Sequence, residues 1–101
     1  MPSGDLSDIR QRIDRLDDEI IERLGARFRL VLEVTERKKA GAIPVMQPGR
    51  VEAVKARCRQ RGESLGLSGE FVDQLYDLII AEACRMEYAG IENDDDVSTA
   101  S

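Results

Sequence analysis

An all-α fold is predicted by three features of the chain. Apolar residues Leu6, Ile9, Ile13, Leu16, Ile20, Leu24, Phe28, Val31 and Val34 follow one another in steps of three and four, the helical period. Gly and Pro gather at two breaks, Gly41–Pro48 and Gly62–Gly69. Apolar residues make up 42% of the chain and charged residues 35%, the composition of a soluble helical domain.

The first helix is expected from Leu6 to about Lys39, with Asp5 as its N-cap and Asp8 at the positive end of its dipole. Gly25 is its one interior glycine; it either permits a close crossing or is tolerated at about 1 kcal/mol against Ala. Gly41 and Pro44 end it. Pro48 opens a second helix at its favoured first position, with Gln47 before it, and Gly62 is expected to close that helix after Arg61. Ser68 caps a third helix with Glu70 in its first turn, and this helix is expected to stop near Gly90. The expected domain is therefore 1–90. IENDDDVSTAS, over 91–101, is acidic, lacks a periodic pattern and reads as a disordered tail.

Helix length bears on assembly. A first helix of this length would measure about 50 Å, against a radius of gyration of about 13 Å for a compact monomer of this size. Its full-length apolar stripe wants a second long partner, and a homodimer with the two first helices packed together meets that need. A kink at Gly25 giving a four-helix monomer is the alternative.

Composition excludes several functions. At 101 residues, with no His and with Cys58 and Cys84 isolated, the chain lacks the usual zinc patterns and any Ser-His or Cys-His nucleophile pair. A net charge of −5, 4% aromatics and no Trp argue against nucleic acid as a partner. The N-terminus has no apolar signal core and no run approaches membrane-spanning length. With two lone cysteines, these features fit a cytoplasmic location.

Against this acidic background, ERKKAGAIPVMQPGRV gathers Arg37, Lys38, Lys39 and Arg50 around a short loop. Arg27 and Lys38, eleven residues apart on a helix, lie within about 20° of one face, whereas Arg10 points about 100° away; it does not easily join that cluster in its own chain but could reach one in a partner chain. Periodicity alone favours ordinary solvated charges. In the third helix Val72, Tyr76, Ile80 (or Ile79), Ala83 and Glu87 share one stripe. A carboxylate there either frays into solvent near the helix end or is buried, where desolvation favours the neutral acid. Pattern alone favours fraying.

The order IRQRIDRLDDEII, RF, a helix-end lysine, IP…P.R and LYDLIIAEACRME resembles the all-helical chorismate mutases over almost the whole chain, from Leu6 to about Tyr88. Within that family, VMQPGRV and LYDLIIAEACRME are most similar to members acting on 4-amino-4-deoxychorismate. The resemblance implies an intertwined three-helix homodimer with shared sites, a small dicarboxylate substrate and no cofactor. It implies that Arg10 is lent to the partner's site, that Arg27 binds a substrate carboxylate, and that Lys38 contacts the ether oxygen and a carboxylate. Arg50 would line the site, Gln47 and Val51 would lie near the ring substituent, and Ile80, Ala83 and Glu87 would face the substrate from the third helix. The chain departs from the commonest family pattern at four of these positions. Val51 stands for a usual Glu, Gln47 for an Asp, Ala83 for a Ser and Glu87 for a Gln. Fewer polar partners around C4 are compatible with an amine there. Chorismate itself is the alternative substrate. P..RV also resembles an isochorismate pyruvate lyase subgroup, and a non-catalytic helical dimer that binds a partner protein is the remaining reading.

Overall fold

In a computed structural model the chain forms α1 (Ser7–Gly41), α2 (Pro48–Ser64) and α3 (Gly69–Ala100), with no strand among the described residues. The structure describes residues 5–100, and side chains as far as Glu92. The chain divides into two units, 1–30 and 31–101.

In the first unit, the Asp5 carboxylate accepts hydrogen bonds from the Ser7 N–H at 2.9 Å and the Ser7 hydroxyl at 3.0 Å. It thus satisfies a donor at the start of α1, as its cap assignment anticipated. The helix runs without interruption through Gly25. A Cβ at Gly25 would meet only Arg29 Nη1, at an ordinary 3.6 Å, so among the described residues nothing presses against this position. The apolar stripe Leu6, Ile9, Ile13, Leu16 and Ile20 is exposed in the single chain.

In the second unit, α2 and α3 pack on each other. Arg59 pairs with Asp73 at 3.2 Å and Lys55 with Asp77 at 2.6 Å. Four residues forward on α2 correspond to four residues back on α3, so the two helices are antiparallel. The hydrogen bond from Lys55 to Asp77 raises the lysine above its ordinary pKa. Val54, Val72, Ile79 and Ala83 are buried, so Ile79 rather than Ile80 takes the more enclosed place on the α3 stripe.

Two helix ends differ from the sequence expectation. α2 does not close at Gly62 but continues to Ser64. The residue with positive φ is Gly66, at +84°. The Leu67 N–H donates to the Gly62 carbonyl at 2.9 Å and the Gly66 N–H to the Glu63 carbonyl at 3.1 Å, the paired bonds of a Schellman turn. Gly62 serves packing instead: it is buried, and a Cβ there would lie 2.7 Å from Val72 Cγ2. α1 ends in the same motif, with the Ile43 N–H on the Lys38 carbonyl at 2.8 Å and the Ala42 N–H on the Lys39 carbonyl at 3.3 Å. α1 itself ends at Gly41, as expected, and the left-handed position falls on the next residue, Ala42, φ +52°. α3, expected to stop near Gly90, continues to Ala100. Gly90 is tolerated within it because it approaches Thr35, whose Cγ2 would lie 3.2 Å from an added Cβ. The side chains past Glu92, and with them most of the expected acidic tail, lie outside the described residues. At its start α3 is capped as expected, with the Phe71 N–H donating to Ser68 Oγ at 3.2 Å.

Candidate functional site

The helix-end lysine and the odd carboxylate of the α3 stripe meet. Lys38 Nζ lies 2.8 Å from Glu87 Oε1, with the two side chains only 14% and 7% exposed. Glu87 is therefore buried and does not fray into solvent, contrary to the expectation from pattern alone. α3 continues past it, so position 87 is a helix interior rather than an end. Lys38 is likewise no ordinary solvated charge.

Each partner is placed by local structure. Lys38 sits three residues before the end of α1, and its backbone carbonyl anchors the turn through Ile43. Its side chain donates a hydrogen bond to the Val45 carbonyl at 2.8 Å. Val45 is itself buried in the loop between α1 and α2. Glu87 stands one helical turn beyond buried Ala83 on α3. Its Oε1 lies against the ammonium and has no further hydrogen-bond partner among the described residues. The contact is an ion pair. Two opposite charges removed from water gain little net stability, but leaving either unpaired costs about 3–5 kcal/mol.

Ile80 and Val51 are half-buried, Val51 in the first turn of α2. Gln47 precedes α2 and is exposed; its side-chain amide donates to the Pro44 carbonyl at 3.4 Å rather than capping the helix. Arg50, also in that first turn, is exposed. Arg10 and Arg27 belong to the first unit, where Arg10 is exposed and Arg27 half-buried. Of the residues expected to form a site, the structure joins Lys38 directly to Glu87, with Ala83 alongside on the same helix.

Two neighbours escaped sequence reasoning. Val45 contributes a backbone acceptor, which leaves no trace in residue type. Thr35, three residues before Lys38, is 2% exposed and bonds back to the Val31 carbonyl at 2.8 Å. The small Gly90 opposite it was the available signal for that close approach.

No helix among the described residues is long and apolar enough to cross a membrane. Residues 9–88 match the family model for chorismate mutase type II. The chain is 36% identical over 84 residues to a 4-amino-4-deoxychorismate mutase of Streptomyces venezuelae, covering 83% of this chain and 82% of that one. It is 33% identical over 82 residues to a 4-amino-4-deoxychorismate mutase of Streptomyces pristinaespiralis, covering 81% of this chain and 64% of that longer protein. It is 37% identical over 75 residues to an isochorismate pyruvate lyase of Pseudomonas aeruginosa, covering 74% of this chain and 73% of the lyase. With a family match across most of its length and an all-helical fold, the chain belongs to the chorismate mutase type II family and is an isomerase of that type.

Proposed function

We propose that the protein rearranges 4-amino-4-deoxychorismate to 4-amino-4-deoxyprephenate at a site shared between two chains of a homodimer. The observation that carries the reading is the buried Lys38–Glu87 pair. It sets a compact cation against a carboxylate at two positions where the family resemblance implies contact with substrate. The names of two relatives favour the amino substrate.

The reaction is a [3,3]-sigmatropic shift. The ether C–O bond breaks while a C–C bond forms within the same molecule, with no nucleophile and no net proton transfer. The protein must hold the enolpyruvyl arm over the ring and stabilise negative charge growing on the ether oxygen. Arginine's planar fork grips a carboxylate with two parallel bonds, so Arg27 of one chain and Arg10 of its partner fix the two substrate carboxylates. Lys38 meets the ether oxygen. Glu87 adds a second donor when protonated, and Arg50 closes the site. Val51 and Ala83 leave the region around C4 with few polar partners, which is compatible with an amine there. The exposed stripe of α1 supplies the surface on which the second chain packs.

The similarity to a lyase supports a second reading, release of pyruvate from isochorismate. One assay separates the readings. The purified protein is incubated in turn with 4-amino-4-deoxychorismate, chorismate and isochorismate, and products are identified by mass. The proposal expects a product of unchanged mass and fastest conversion of the amino substrate. Faster conversion of chorismate, or pyruvate from isochorismate as the main activity, would overturn it.

A further inference from the structure

We infer that the backbone carbonyl of Val45 is a positioning group for the reaction, holding the Lys38 ammonium so that its remaining donors face the substrate. This rests on the reading of Lys38 as the group that stabilises the ether oxygen. A lysine stem is flexible and its ammonium carries three donors free to rotate, so charge alone does not fix where the donors point. Here one donor is committed to the Val45 carbonyl at 2.8 Å. Glu87 Oε1, also 2.8 Å away, supplies the opposite charge on another side of the ammonium's donor set.

The acceptor is itself fixed. Val45 is buried, and the loop that bears it is tied back to α1 by the Ile43 N–H on the Lys38 carbonyl. Lys38 thus anchors the loop with its backbone and is anchored by the loop through its side chain. A donor set held in this way needs no reorganisation as charge develops, which is where preorganised electrostatics gain their effect. Weakening the anchor should therefore lower kcat more than it raises KM.

The carbonyl can be weakened without altering any side chain. Placing the α-hydroxy acid analogue of methionine at position 46 of the full chain turns the 45–46 amide into an ester, whose carbonyl is a poorer acceptor. The N–H lost at Met46 makes no hydrogen bond among the described residues. With 4-amino-4-deoxychorismate or chorismate, whichever the parent converts faster, kcat should fall roughly three- to tenfold, the range expected for one hydrogen bond, with KM within about twofold. The 1H–15N signal of the Lys38 ammonium, protected from exchange in the parent, should broaden or vanish in the ester. Unchanged kcat in the ester, with Lys38→Ala inactive, would overturn the inference while leaving the role of Lys38 standing. An active Lys38→Ala protein would instead overturn that role, and the ammonium signal then decides whether Val45 holds the lysine: persistence in the ester refutes the anchor, and loss supports it.

Discussion

At the scale of single residues, the proposed roles of Lys38 and Glu87 would tie activity to stability. Lys38→Met leaves the Glu87 carboxylate buried without its counter-charge and is expected to lower unfolding free energy by about 3 kcal/mol. Adding Glu87→Gln should recover most of that loss, because the buried charge goes with it. Activity should not recover, since the ammonium is still missing. Denaturant titration and turnover of the two variants check this, and recovery of both properties together would show that Lys38 matters only for folding. Glu87→Gln alone addresses a different point. An amide donates an N–H at every pH, whereas a carboxyl group donates only when protonated. The variant keeps a donor and removes the buried charge, so its turnover is expected to be at least that of the parent. A tenfold or greater loss of kcat in a variant of parental stability would contradict a donor role for Glu87. Sequence pattern exposed Glu87 as an anomaly in an apolar stripe but left its burial open, because burial depended on α3 running past Gly90 and on a lysine 49 positions earlier in the chain.

Helix ends show where local sequence misleads about elements. Gly62 and Gly41 each stand where a glycine conventionally ends a helix, yet the left-handed turns fall on Gly66 and Ala42. Glycine meets two separate demands, positive φ and close approach, and a sequence shows the residue without saying which demand it answers. Gly62 answers the second. Gly62→Ala would drive a Cβ against Val72 Cγ2, at the end of a short β-branched side chain that is 3% exposed and stiff. It is expected to destabilise the α2–α3 pair by about 1–3 kcal/mol, read from the urea midpoint. Ala42 answers the first demand with the wrong residue. Ala42→Gly is expected to raise stability by about 0.5–1 kcal/mol, since glycine adopts that backbone without steric cost but adds freedom to the unfolded chain. A lower midpoint in Ala42→Gly would show that the turn is not strained. By contrast, Pro48 and the caps at Asp5 and Ser68 were legible in advance, because each acts through its own chemistry on residues two or three positions away.

For the whole molecule, the proposed dimer rests on the apolar stripe of the first unit. Five large aliphatic residues at helical spacing lie exposed in the single chain, Leu16 and Ile20 at 56% each. Apolar surface of this extent in one line marks an interaction site rather than a solvated face. Helix length is the argument from sequence for the same proposal. The sharing of a site could not be read that way, because it depends on which chain each arginine serves. The proposed dimer places Arg10 of one chain beside Lys38 of the other. Arg10→Ala and Lys38→Ala subunits, each inactive alone, would then carry complementary defects. Unfolded together and refolded, they should regain about a quarter of parental activity, because half the dimers would be mixed and each mixed dimer would hold one intact site. Mixed dimers shown to form by mass, yet with no activity above either parent variant, would contradict a site built by two chains.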